Sequence, residues 1–158
     1  PDGEGKFFYL YGSTYNGEWD RGDREGFGDM TYPNDSVVGG YWKDDRYIGL
    51  YENTWEIVQQ RGNARYKLNK LSEGQNKIEI KFFRGGQENP SAVTNMRLSA
   101  TTGVQYNTPG YIGFEQVDFP VEVTLNYVVP NQLNTSTHQE FIRIMINEPG
   151  GWLIRANY

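Results

Sequence analysis

A repeat of 23 residues in the first third of the chain constrains its fold more than any other feature. The recurring positions are Tyr15, Gly17, Trp19 and Gly26, matched by Val38, Gly40, Trp42 and Gly49. The same spacing extends toward the N-terminus, where Gly3 and Gly5 lie 23 positions before Gly26 and Gly28. A fixed period of this length is typical of repeat architectures, in which each unit buries its apolar face only against its neighbours.

Each repeat unit has the pattern of a β-hairpin. Tyr15 and Trp19 stand at alternate positions, so they share one face of a strand. Residues 20–25 are charged around Gly22, which is turn chemistry, and residues 27–32 return as a second strand. Because one hairpin cannot bury its aromatic face alone, we expect successive hairpins to join into an extended sheet.

The central unit resembles the MORN repeat in residues 15–19 (YNGEW), 26–28 (GFG) and 32–36 (YPNDS). Residues 1–55 are therefore identified as MORN-like, with a truncated first unit and a third unit in which Val38 and Tyr51 replace the leading Tyr and the second Gly. The resemblance implies a β-hairpin ribbon that acts as a scaffold, as a protein-docking surface or, in some members, as a lipid-headgroup binder, and it implies no enzymatic activity. The framework positions are Tyr15, Gly17, Trp19, Gly26, Gly28, Tyr32, Gly40, Trp42 and Gly49.

Residues 56–158 lack the 23-residue register and instead contain short segments with alternating apolar residues. The clearest is 121–129, and the others are 55–59, 64–68, 78–82, 96–100, 111–117, 141–146 and 152–156. Turn signals at 84–90, 107–110 and 130–137 separate several of them. This spacing predicts an antiparallel β-sandwich, immunoglobulin-like or jelly-roll, although residues 57–73 could also form a short helix broken at Gly62.

The inventory of reactive side chains argues against catalysis. The absence of Cys excludes disulfides, Cys-ligated zinc, iron–sulfur clusters and a catalytic thiol. The only His, His138, follows the polar run 131–137 and is predicted to lie in a surface loop, which supports neither a hydrolase triad nor a histidine metal site. The glycines of residues 26–28 lack the flanking strand and helix of a nucleotide-binding loop. We therefore predict a protein that is not an enzyme and needs no metal or cofactor.

The second alternative is a β-sandwich hydrolase that uses carboxylates for catalysis. Glu115, Asp118 and Glu122 are close in sequence, and glycoside hydrolysis requires two carboxyl groups that face each other across a cleft. Glu122, however, alternates outward from an apolar strand, which favours a solvated surface acid.

Charge differs between the two regions and limits the partners. Residues 1–55 carry 11 acids and 5 bases, whereas residues 56–158 carry 9 acids and 10 bases. A net charge of −5 does not suit nucleic acid, and the acidic first region does not suit an anionic membrane. The expected partner is a protein, with a glycan as the alternative, and exposed strand edges could also pair two copies into a homodimer.

Aromatic side chains supply the binding candidates. Trp19 and Trp42 recur with the repeat and are predicted to pack against their neighbours. The predicted docking residues are Tyr11, Tyr41, Tyr47 and Trp55. The leading hypothesis is therefore a non-enzymatic binding or scaffold protein, and the first alternative is a carbohydrate-binding module, because aromatic rings stack on sugars.

Composition also suggests a location. A chain without Cys that is rich in Asn, Thr, Gly and Tyr favours an exported bacterial protein, in the periplasm or at the cell surface. The repeat begins in mid-unit at Pro1, so we expect further repeat units before it.

Overall fold

The computed structural model describes residues 1–108 and 111–158, and it confirms the predicted all-β fold class. In this described part of the chain the strands are accompanied by one short 3₁₀ turn, at Pro90–Ala92. The chain divides into two compact units, Pro1–Asn53 and Thr54–Tyr158. The division falls two residues before the predicted boundary, because Trp55 already pairs within the second unit.

The first unit is a single antiparallel sheet whose strands are ordered as in the sequence. Its strands are β1 (Gly3–Phe8), β2 (Thr14–Asp20), β3 (Asp23–Thr31), β4 (Val37–Lys43) and β5 (Arg46–Gly49). Two tight turns, at Arg21–Gly22 and Asp44–Asp45, have positive φ at both residues, which matches the twist of a two-residue hairpin. These turns lie 23 residues apart, so the repeat in the sequence is also a repeat of backbone geometry.

A pair of hydrogen bonds recurs with the same period. The indole Nε1 of Trp19 donates to the carbonyl of Gly5 at 3.1 Å, and that of Trp42 donates to the carbonyl of Gly28 at 3.0 Å. Each Trp therefore fixes the strand before it in the same manner. This hydrogen bond explains why the Trp and the Gly recur at the same spacing in both units, whereas other positions of the repeat vary.

The second unit consists of two sheets that share one hydrophobic core. Its strands are β6 (Trp55–Arg61), β7 (Arg65–Ser72), β8 (Lys77–Arg84), β9 (Gln87–Glu88), β10 (Thr94–Ala100), β11 (Val104–Thr108), β12 (Tyr111–Glu115), β13 (Val121–Pro130), β14 (Thr137–Ile146) and β15 (Gly151–Asn157). The four-stranded sheet has the order β10-β13-β14-β6, and the six-stranded sheet has the order β11-β12-β8-β15-β7, with β9 paired to β8. All neighbours are antiparallel except β8 and β15, which are parallel.

The predicted alternation in the second unit is confirmed where it is clearest. Along β13 the residues Val121, Val123 and Leu125 are fully buried, and the residues between them are partly exposed. The open question at 57–73 is resolved in favour of two strands, β6 and β7, which meet at a turn with Gly62 at φ +104°. Strands β9 and β11 were not predicted, and the predicted turn at 107–110 ends on two residues outside the described ranges.

Two tyrosines join the sheets through their hydroxyl groups. Tyr66 on β7 and Tyr127 on β13 lie with their phenolic oxygens 2.8 Å apart, and Tyr127 is fully buried. Burial raises the pKa of both phenols above the usual value. The folded state therefore strongly favours the neutral form of both rings.

Alkaline pH should weaken the second unit through these two phenols. In the unfolded chain each phenol loses its proton near pH 10, whereas the folded state holds it to higher pH, so the free energy of unfolding should fall as pH rises above about 10. Urea unfolding at a series of pH values checks this, and Tyr66→Phe with Tyr127→Phe should reduce the slope. Ionisation of both rings near pH 10 in a protein that remains folded would contradict the assignment.

Candidate functional site

One face of the first sheet, here called the ladder face, carries a row of contacting aromatic rings. They are Phe7, Tyr9, Tyr15, Trp19, Trp42 and Tyr47, and neighbouring rings meet edge to face at centroid distances between 4.8 and 5.9 Å. Such contacts are the preferred geometry of aromatic pairs and add to the gain from burial. The rings therefore serve mainly to hold the sheet together.

Tyr15 is fully buried although its unit contains a single sheet. Its ring lies across the backbone of Gly17 and Gly28, where a Cβ atom on either glycine would overlap it. The guanidinium of Arg24 lies 5.8 Å from the Tyr15 ring centroid and 4.3 Å from that of Trp42. The glycines thus leave the space that lets a flat ring pack on a single sheet.

Arg24 is itself held in place by Asp45. The Asp45 carboxylate accepts hydrogen bonds from the backbone N–H of Arg24 at 3.0 Å and from its Nε at 2.9 Å. These two bonds lower the pKa of Asp45 below its usual value. The guanidinium of Arg24, on the ladder face, is therefore engaged in contacts within its own unit.

The opposite face of this sheet, here called the Phe27 face, is different in character. Phe27 and Tyr41 are directly paired on β3 and β4 with ring centroids 5.4 Å apart, and 49% of Phe27 is exposed. Strand alternation and register place Glu4, Glu18 and Asp29 on the same face, together with Lys6. The Glu18 carboxylate accepts a hydrogen bond from the backbone N–H of Phe27 at 3.1 Å. The ion pairs of the first unit, whose residues are all described, are Asp20–Arg21 and Arg24–Asp45, so these three carboxylates have no cationic partner within it.

The structure does not bring the predicted docking residues together. Tyr41 lies on the Phe27 face, but Tyr47 packs against Trp42 on the ladder face and its hydroxyl donates to a backbone carbonyl. Tyr11 lies in the turn between β1 and β2 and is 91% exposed. Trp55 belongs to β6 and packs against the core of the second unit.

Phe27 was missed because it lies between the two glycines of the repeat motif. Strand alternation offered a signal that could have found it. Since Gly28 faces the ring of Tyr15 on the aromatic ladder, the residue before it must face the other way, beside Tyr41 across the strand pair.

The prediction that His138 lies in a loop is wrong. His138 is on β14, and its Nε2 lies 3.0 Å from the carboxylate of Glu140. Glu140 is fully buried and also accepts hydrogen bonds from the backbone N–H groups of Asn63 and Ala64, at 2.8 and 3.0 Å. Sequence analysis missed this carboxylate, because its partners lie 77 and 76 positions away along the chain.

A cleft of about 340 Å³ opens beside His138 and Glu140, with Arg84 and Tyr158 among its lining residues. Arg84 is occupied by the loop after β13, donating to the carbonyl of Asn131 at 2.7 Å. The described lining residues include no Ser, Thr or Cys, and the hydroxyl of Tyr158 donates to the carbonyl of Asn89 at 2.7 Å. The geometry is that of a clamp on the turn between β6 and β7.

The acids considered for hydrolysis lie on separate elements. Glu115 ends β12 in the six-stranded sheet, whereas Glu122 is on β13 in the four-stranded sheet and pairs with Arg143 at 3.3 Å. Asp118 lies between the two strands, and its backbone bonds to the hydroxyl of Thr102. Among residues 1–108 and 111–158 no group of three or more His, Cys, Asp or Glu could hold a metal ion.

Comparisons with known proteins give no relative from which a role could be transferred. No helix in the described part of the chain is long and apolar enough to cross a membrane. The chain matches no family model, no curated protein and no solved structure.

Proposed function

We propose that the first unit is a MORN-like docking ribbon that binds a protein partner through its Phe27 face, and that the chain acts as a non-enzymatic scaffold. The observation that carries this proposal is the exposed Phe27–Tyr41 pair among carboxylates that lack a cationic partner in the unit. Exposed apolar groups rimmed by polar ones are typical of interaction sites.

The ladder face is the weaker candidate for docking. Its two indole N–H groups donate to backbone carbonyls, and the hydroxyl of Tyr47 does the same. Trp19 and Trp42 are almost completely buried, so neither offers a ring to a ligand. Phe7 and Tyr47 keep exposed ring surface on the ladder face, at 47% and 41%. The Phe27 face is therefore favoured by its carboxylates without an ion-pair partner in the unit, and not by exposed rings alone.

The chemistry of this face favours a basic partner. Residues 1–53 carry 11 acids and 5 bases, and a segment with Lys or Arg around one apolar side chain would meet both the carboxylates and the rings. Arg or Lys above an aromatic face gains a further cation–π attraction. A second copy fits less well, because its own first unit carries the same negative charge.

A designed peptide tests the proposal. The probe is a synthetic peptide with Lys residues on both sides of a single Phe, titrated into the full chain by calorimetry. We expect binding that weakens with salt and that falls about tenfold in the double variant Phe27→Ala, Tyr41→Ala. Circular dichroism should show little change, since both rings are partly exposed.

Two controls make this result specific. Tyr11→Ala removes an exposed ring away from the Phe27 face and should leave the affinity unchanged. A peptide with Glu in place of Lys should not bind. Equal binding of both peptides, or full affinity in the double variant, would contradict the proposal.

A further inference from the structure

A row of cations crosses the six-stranded sheet on the side that faces away from the core. Arg155 on β15 is directly paired with Lys67 on β7 and with Lys81 on β8, so the three side chains share one face. These three residues are here called the cation row. Since neighbouring strands lie about 4.8 Å apart, the row extends over about 10 Å.

An aromatic ring, that of Tyr111, lies beside one end of the cation row. Strand β12 is the next neighbour of β8, and the ammonium of Lys81 lies 5.7 Å from the ring centroid of Tyr111. Tyr111 is 55% exposed, and Thr108 on β11 is paired with it. The same level of the sheet thus presents three cations, a ring and a hydroxyl along one line.

This arrangement costs stability within the fold. Like charges directly opposite each other in a sheet are destabilising. Lys81 has Glu88 at 3.3 Å, and Arg155 stacks over the ring of Phe83 at 4.0 Å, but Lys67 and Arg155 have no carboxylate partner among the described residues. Glu79 on the same face is taken by Lys77 at 2.6 Å. The repulsion along the row is therefore only partly compensated within the fold, as is expected at a functional site.

We propose that the cation row and Tyr111 form a binding site for a linear polyanionic glycan, such as a chain of uronic acids. An extended chain fits a flat row, its carboxylates match the guanidinium and ammonium groups, and a sugar ring can stack on Tyr111. Single-stranded nucleic acid fits less well, because it calls for several rings on which successive bases stack. The site lies in the second unit and is independent of the docking surface proposed above.

Calorimetry with an oligogalacturonate tests the site, using the full chain at low salt. We expect binding that weakens as salt is added, and no binding of the neutral cello-oligosaccharide of equal length. Lys67→Glu and Arg155→Glu should each reduce the affinity about tenfold. Tyr111→Ala should also reduce it while leaving its dependence on salt unchanged.

The matched control is Arg97→Glu, which changes the net charge equally but lies on β10 in the other sheet. Its affinity should be that of the wild type. Lys67→Glu also reports on folding, because it places a carboxylate opposite Arg155 and should raise the melting temperature by about 2 °C while the affinity falls.

Three results would overturn the proposal. The first is an equal loss of affinity in Arg97→Glu, which would indicate attraction to net charge alone. The second is equal binding of the neutral oligosaccharide. The third is tighter binding of oligothymidylate or of vesicles containing phosphatidylserine, which would assign the row to nucleic acid or to a membrane.

Discussion

Replacing Gly28 with alanine should unfold the first sheet while the second unit stays folded. The new Cβ would overlap the ring of Tyr15, which is fully buried and is held between Trp19 and Trp42. A rigid ring in such a site cannot move aside, and overpacking of a core costs about 1–3 kcal/mol or more. We expect a loss near the upper end, about 3 kcal/mol, because the buried core of this unit consists of only Tyr15, Trp19, Met30 and Trp42.

The repeat supplies its own control for this experiment. Gly5 lies 23 residues before Gly28, but a Cβ there would meet Trp19 at 3.5 Å, which is ordinary contact. Gly5→Ala should therefore change the free energy of unfolding by less than about 1 kcal/mol.

Indole N–H resonances measure the outcome for each unit separately. In Gly28→Ala the signals of Trp19 and Trp42 should collapse to unfolded positions, whereas that of Trp152 in the second unit should keep its native shift. Native shifts for Trp19 and Trp42 in this variant would show that the ring of Tyr15 can give way, and the packing argument would fail.

The contrast between Gly28 and Gly5 shows how far the sequence alone reaches. The 23-residue spacing relates the two glycines to each other, and it predicts that Trp19 and Trp42 pack against their neighbours; in the structure both are buried and in contact with Tyr15. It does not show that one glycine lies under a ring and the other does not. That difference depends on which side chain crosses which strand.

The two surfaces proposed for binding differ in how far the sequence could predict them, because only one of them depends on the order of strands in a sheet. Phe27 and Tyr41 meet across one hairpin, and local alternation is enough to pair them. Lys67, Lys81 and Arg155 become neighbours only because β15 inserts between β7 and β8, pairing parallel with one and antiparallel with the other. No periodicity within a strand contains that information, so the cation row could not be predicted.

Glu140 is the second position where a single change should have a large effect. Its carboxylate accepts hydrogen bonds from Asn63 and Ala64, and a Cβ on Gly62 would overlap that carboxylate, so the turn between β6 and β7 is built around it. Glu140→Ala would leave the backbone N–H of Ala64 without an acceptor at a buried position, which costs about 1–3 kcal/mol, and it would also remove the acceptor of the more exposed N–H of Asn63. We expect the free energy of unfolding of the second unit to fall by about 3 kcal/mol.

Two further variants separate the clamp from a general loss of charge. Glu122→Ala removes a partly exposed carboxylate that pairs with Arg143, and it should cost less than about 1 kcal/mol. His138→Ala leaves both backbone hydrogen bonds of Glu140 in place, so it should cost less than Glu140→Ala.

Hydrogen exchange locates the effect. In Glu140→Ala the amides of Asn63 and Ala64 should exchange much faster than in the wild type, while amides at the centre of β13 should change only as far as global stability changes. If the amides of Asn63 and Ala64 remained as protected as those of β13, the turn would be held by other contacts. Acceleration at the turn beyond that of the β13 amides would show that Glu140 holds the turn directly, joining residues that the sequence separates by 76 positions or more.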